Sequence, residues 1–189
     1  MYLGGSGKIH AGEAWGNLDG TSPLSERART CGDCTLCCKV MGVAALEKPG
    51  GVWCRHRLPG GCGVYQDRPD ACRAFECVWL MDEEMPRKFR PDLTKVVLDQ
   101  DAQGLRLIAR CDPANPRAWR REPMYGALKG YAADHWADGR IVIAVAGRQA
   151  WLVAPREDIN LGEVGPDARL TISEGPGGQV SVRVEPSEP

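Results

Sequence analysis

Apolar positions along this chain fall into two textures that meet near residue 92. Downstream the pattern is regular. TKVVLDQ (94–100) and GLRLIAR (104–110) predict two strands around a DQDAQG turn. REPMYGALKGYAADHWADG (121–139) repeats at helical spacing, with Met124, Leu128, Tyr131 and His135 on one face and Tyr125, Ala132 and Trp136 beside it. Pro123 suits the first helical position, and Gly139 suits the residue past the end. RIVIAVA (140–146) and QAWLVAP (149–155) predict a tight hairpin through Gly147, and ARLTISE and GQVSVRVEP predict another across a GPGG turn. Strand, strand, helix and four further strands make a small antiparallel sheet with one packed helix.

Upstream the texture is loop-rich. KPGG (48–51) and LPGGCG (58–63) interrupt any periodicity. DRPDACRAFECVWL (67–80) predicts one short helix, with Pro69 in its first turn and Ala71, Cys72, Phe75 and Trp79 near helical spacing. MDEEMPRKFRPD (81–92) is polar and carries two prolines, the texture of a linker. Residues 1–22 are rich in Gly and Ser and predict a flexible arm. GGSGK within that arm is not a phosphate loop, because Tyr2 stands where its first glycine belongs and Ile9 where Ser or Thr belongs. The expected class is therefore α+β: arm 1–22, a cysteine-rich domain with short helices at 23–80, linker 81–92, and an α+β domain at 93–189.

Charge narrows the functional classes. The 189 residues carry 24 basic and 25 acidic side chains, which gives no reason to expect nucleic acid or an anionic membrane as partner. No apolar run approaches the ~18–20 residues of a transmembrane helix. The first residues lack a basic segment followed by an apolar one, so the expected compartment is the cytoplasm, where thiols stay reduced. Nine cysteines in such a chain need a reason other than disulfides, and eight of them lie between Cys31 and Cys77.

CGDCTLCCKV places Cys31, Cys34, Cys37 and Cys38 within eight residues. The spacing C-x2-C-x2-C supplies three thiolates to one iron–sulfur cluster in ferredoxins, and C-x2-C pairs also open zinc ribbons. Cys38 departs from the ferredoxin run, because adjacent residues tend to send their side chains different ways. One of Cys37 and Cys38 is then expected to serve a second site, or to be a spare, bridging or redox thiol. Cys54, Cys62, Cys72 and Cys77 complete eight thiols, enough for two tetrahedral sulfur sites or for one iron–sulfur cluster with extra cysteines. Arg55, Arg57, Arg68 and Arg73 crowd the same stretch, either as donors to sulfur or as solvated surface. His56 could replace a thiol, although an exposed loop histidine is the simpler reading. Trp53 and Trp79 flank the cysteines as candidate shields. His135 and Cys111 read as core residues.

CGDCTLCCKV followed by GCGVYQDRPDACRAFECVWL closely resembles the YkgJ-like CxxCxxCC cysteine-cluster family, a zinc- or iron-chelating domain of bacteria. The resemblance covers about residues 31–80. It rests on Cys31, Cys34, Cys37, Cys38, Cys54, Cys62, Tyr65, Arg68, Pro69, Cys72, Arg73, Phe75 and Cys77. It implies metal binding and no particular reaction. A similar group occurs in flagellin lysine N-methylase-type chains as an iron–sulfur site. The expected cofactor is a 4Fe-4S cluster or Zn2+, and the expected role is a structural or redox module. The alternatives are a thiol- or metal-dependent redox enzyme with Cys38 as its reactive thiol, and a soft-metal storage or trafficking protein. No carboxylate pair, Ser–His arrangement or nucleotide loop supports catalysis. The C-terminal domain either supports the metal site or docks on a protein partner.

Overall fold

Loop chemistry dominates the first half of the fold. The computed structural model describes residues 29–185 apart from 102, 166, 167, 176 and 178; the predicted arm at 1–22 lies outside the described residues. Short elements alternate with turns: α1 (Cys37–Val40), β1 (Arg57–Leu58), β2 (Gly61–Cys62), α2 (Asp70–Ala74) and α3 (Val78–Met81). β1 and β2 form a minimal antiparallel hairpin with Arg57 opposite Cys62. The single helix expected over 67–80 is two helices. Phe75 adopts extended backbone at φ −78°, ψ 120°, and Cys77 does the same at φ −78°, ψ 155°. The break points Val78 into the core and leaves Cys77 as the residue that caps α3.

The stretch 81–92 has the charge and prolines of a linker, yet it is packed. Met85 and Phe89 are buried in the main core. Asp82 explains how so polar a turn can lie against apolar residues: its carboxylate accepts the amides of Glu84 at 3.0 Å and Met85 at 3.2 Å. The Arg29 guanidinium donates to the carbonyls of Trp79, Asp82, Glu83 and Met85, so the turn's outward carbonyls also find partners. Pro91 then opens α4 (Pro91–Thr94), which ends at Lys95 in the left-handed region at φ 62°.

The second half is a five-stranded sheet in the order β3 (Val96–Gln100), β4 (Arg106–Cys111), β5 (Ile141–Ala146), β6 (Gln149–Val153) and β7 (Asp158–Glu163). Its pairings are antiparallel except β4–β5, which is parallel. The crossover α5 (Met124–His135) lies between these two strands in the chain and forces that direction. The strand β7 was not anticipated. Ile159 and Leu161 do alternate with polar neighbours, but a glycine interrupts the run. Gly162, at φ 72°, pairs with Ala150 beside a register shift, since the next residue, Trp151, pairs with Asn160. Among the described residues, β8 (Arg169–Glu174) and β9 (Val180–Glu185) pair only with each other.

Strand alternation sorts the core into layers. Val142, Ala144 and Ala146 of β5 face the same core as Met124, Ala127, Leu128, Tyr131 and Ala132 of α5. Ile143 faces the other way, with Leu152, Ala150 and the apolar side chains of the β8–β9 hairpin. On the edge strand, Val96 and Leu98 join the main core, while Val97 points to the opposite face. There it meets Leu36 and Cys77. This buried valine and Val78, which enters the main core from the other side of the seam, anchor the cysteine-rich layer on the sheet. Burying such a side chain contributes about 1.5–3 kcal/mol. Among the described residues no helix is long and apolar enough to cross a membrane.

Candidate metal centre

Each cysteine is placed by a local backbone rule. The Cys34 amide donates to the Cys31 carbonyl at 3.0 Å, closing a turn that needs Gly32 at φ 53°. Thr35 and Leu36 are buried and pin the next residues. The chain then enters α1 at Cys37, and the Met41 amide reaches back to the Cys37 carbonyl at 3.0 Å. The Cys54 amide donates to the Cys38 carbonyl at 2.9 Å, which draws the second group of cysteines onto the first. The β1–β2 hairpin returns Cys62, with the Gly63 amide on the His56 carbonyl at 2.9 Å. Arg73 donates to the carbonyls of Arg68 and Gln66, both at 2.8 Å, and so ties the incoming loop to the helix that carries Cys72.

The result is one cavity of about 550 Å³ whose wall includes all eight cysteines from Cys31 to Cys77. None of the nine cysteines is in a disulfide. Among the described residues, no aspartate or glutamate lines the cavity. A wall of thiols without carboxylates suits soft or borderline metals and not Mg2+ or Ca2+. Among the described residues, no three His, Cys, Asp or Glu side chains converge as the ligands of one ion would. Four sulfurs on a single zinc would stand about 3.8 Å apart, given Zn–S bonds of about 2.3 Å. The thiols instead surround a space larger than one ion.

Cys37 and Cys38 both line the cavity from the start of α1. Their thiols share a hydrogen bond, which lowers Cys38 to about 7 and pushes Cys37 up. Lys48 and Arg57 assist the lowering at Cys38. Burial raises Cys31, Cys72 and Cys77, the last to about 11, and neighbouring thiols add to the rise in each. Cys31, Cys37, Cys72 and Cys77 thus resist ionising on their own, and a cation among them would favour their thiolates. Lys48 already supplies part of that charge. Its ammonium is buried, donates to the carbonyls of Lys39, Met41 and Pro49, and lies in electrostatic reach of Cys54, Cys38, Cys37 and Cys72.

Two donors fit the same picture. Among the described residues, Arg68 Nε and Trp79 Nε1 are buried without a hydrogen-bond partner, and both residues line the cavity. A buried N–H left unpaired costs about 1–3 kcal/mol, and sulfur of a bound metal centre is an acceptor that would remove that cost. The donor set and these two N–H groups therefore fit a sulfur-ligated metal.

The arginines divide. Arg68 stacks on Tyr65 at 3.8 Å and acts on Cys31 and Cys72; Arg57 stacks on Trp53 at 4.7 Å and acts on Cys38. Arg73 serves the backbone, and Arg55 donates to His56 at 3.3 Å. His56 is half-buried on the cavity wall. Trp79 lines the cavity, whereas Trp53 is 44% exposed and shields little. Cys111 is buried in the sheet core. Sequence reading passed over Lys48; a lysine in a KPGG turn between cysteine groups was the available signal. No family model matches the chain, and no curated protein or solved structure matches it either.

Proposed function

We propose that this chain is a metal-binding protein whose clustered cysteines hold zinc or an iron–sulfur cluster in a structural or redox module. The observation that carries the reading is that all eight cysteines, from separate turns, short helices and the β1–β2 hairpin, line one cavity with no Asp or Glu among its described lining residues. The resemblance of residues 31–80 to the YkgJ-like family supports it. When bound, zinc would cross-link the loops, and an iron–sulfur cluster would add one-electron chemistry. The chain's own part is to supply thiolates, to offset their charge with Lys48, Arg57 and Arg68, and to donate from Trp79 and Arg68 toward sulfur. The sheet would brace this layer or present it to a protein partner. Metal analysis of anaerobically purified chain is the test. Brown protein that bleaches with dithionite selects iron–sulfur, colourless protein with stoichiometric zinc selects zinc, and metal-free protein with freely reacting thiols overturns the reading.

A thiol redox enzyme is the second reading, favoured by Lys48 and Arg57 beside Cys38. It requires one fast-alkylating cysteine in the metal-loaded protein; full protection of all eight removes it.

A further inference from the structure

We propose that the exposed side of the β1–β2 hairpin and its flanking loops is a docking surface for a protein partner that presents carboxylates around an apolar centre. Val52, Trp53, Arg55, Arg57 and Leu58 form most of this surface, and none of them lines the cysteine cavity. The surface therefore stands apart from the candidate metal centre and does not depend on which metal that centre takes.

Apolar exposure is concentrated there. Among the described residues six large apolar side chains are exposed, and four of them, Val52, Trp53, Leu58 and Tyr65, fall within residues 52–65. Single exposed apolar side chains are ordinary, but a group of them on one hairpin marks an interaction site. Local geometry keeps the group in place. Leu58 pairs with Gly61 across the hairpin and lies over Gly63, where a Cβ would come within 3.1 Å of Leu58 Cδ1. The missing side chain at Gly63 leaves Leu58 room to lie there with its other side in solvent.

The exposed rings are also held before any partner arrives. Trp53 carries the Arg57 guanidinium at 4.7 Å and the Lys39 ammonium at 5.4 Å from its ring. Those two cations are themselves fixed: Arg57 Nε donates to Thr35 Oγ1 at 3.4 Å, and Lys39 is paired with Asp112 at 2.6 Å. Tyr65 carries Arg68 at 3.8 Å in the same way. A side chain ordered in advance loses little rotamer freedom on docking, and Trp, Tyr and Arg are the residues that most often carry binding energy at interfaces.

Charge states the partner's chemistry. Between Glu47 and Asp67 the chain has no acidic residue, while Lys48, Arg55 and Arg57 are basic. Among the described residues, no ion pair engages Arg55 or Arg57. In a chain of nearly balanced charge this is a local positive patch, and its complement is a carboxylate-bearing rim. Val52 and Leu58 suit an apolar centre inside that rim. Nucleic acid fits less well. Stacked bases need open ring faces, and here cations already lie over both rings. Phosphate binding grows with the number of Lys and Arg contacts, and two exposed arginines offer few.

The test uses the full chain as purified anaerobically. The probes are a Glu- and Asp-rich peptide carrying Leu and Phe, the same peptide with Lys for every acid, the same peptide with Ser for Leu and Phe, a single-stranded oligodeoxythymidine, and phosphatidylserine vesicles. The first peptide should bind at least about tenfold tighter than any other probe, and should weaken as salt rises. It should slow amide exchange across residues 52–66 and not on β3 to β7. Arg55→Glu and the pair V52S/L58S should each weaken it about tenfold, whereas Leu105→Ser, at an exposed position on the sheet half, should not. The exchange footprint on the unaltered chain decides the matter even where a variant fails to fold. Tighter binding of the oligonucleotide or the vesicles, a footprint elsewhere, unchanged affinity in both folded variants, or no binding of the first peptide overturns the proposal. A dimer that V52S/L58S abolishes overturns it as well, by giving the surface to a second copy of the chain.

Discussion

The two halves of this molecule are built on opposite principles. In the sheet half, stability comes from apolar side chains sorted by strand alternation: Val142 and Ala144 to one face, Ile143 to the other. Between residues 29 and 80, only Leu36, Cys77 and Val78 are buried apolar side chains. That layer instead carries cation–ring contacts, backbone turns and eight thiols around a cavity. A layer with so little apolar burial has no core of its own to offset the entropy of ordering its loops. The contrast teaches where the metal would matter: it would be the missing core of one half and irrelevant to the other.

Chelation should therefore produce the largest effect, and on one side only. Structural zinc contributes about 10–16 kcal/mol to small metal-dependent folds. Removing metal should abolish amide-exchange protection across residues 31–80 while β3 to β6 keep theirs. Retained protection in the cysteine layer after complete metal removal would erase the distinction between the halves.

A core deletion should do the reverse. Trp119 is 1% exposed and packs in tilted contact with Trp151, ring centroids 5.6 Å apart, and with Tyr125 at 6.1 Å. Trp119→Ala should cost about 3–5 kcal/mol in urea unfolding of the sheet. Metal content of the protein that remains folded should be unchanged. Loss of metal in step with sheet stability would mean that the halves fold as one unit.

These two textures were not equally legible. The helix at 124–135 could be read directly, because its apolar face is periodic and its ends are marked by Pro123 and Gly139. The eight thiols could be grouped from spacing alone, and the structure brings them to one cavity. What was hidden is what tertiary contact decides. The helix break at Phe75–Cys77 has no glycine or proline to announce it. The parallel β4–β5 pair depends on how α5 crosses the sheet. Burial of Met85 and Phe89 inside a charged stretch depends on Asp82 and Arg29 satisfying the turn's backbone. The unpaired N–H groups of Arg68 and Trp79 exist only once the cavity does.

The seam between the halves offers a smaller test. Lys39 and Asp112 form an ion pair at 2.6 Å, with side chains 15% and 8% exposed. Burial pushes the Asp112 carboxyl up, but the Lys39 hydrogen bond, the Ala114 amide and the Lys39 charge outweigh it, so the carboxyl lies below its usual range. A depressed carboxyl stabilises the fold above its unfolded value, about pH 3.9, and that contribution is lost as pH falls through the folded value. Lys39→Ala should cost about 1.5–3 kcal/mol at neutral pH. Asp112→Asn should flatten the acid limb of stability against pH. A double-mutant cycle with no coupling between the two would leave Val97 and Val78 as the main ties.

Cys111 gives the smallest and sharpest contrast, because it is the one cysteine on the sheet side. Its thiol is 2% exposed within the main core, and burial pushes it up to about 11. It sits in the sheet core and is not among the residues that line the cysteine cavity. Cys111→Ala should cost about 1 kcal/mol through a small cavity and leave metal stoichiometry untouched. In the wild-type chain, alkylation should reach Cys111 only after the sheet unfolds, later than any of the eight cavity thiols released by chelation. A Cys111→Ala chain that binds less metal would place a ninth thiol in the site and dissolve the division between a core built on carbon and a layer built on sulfur.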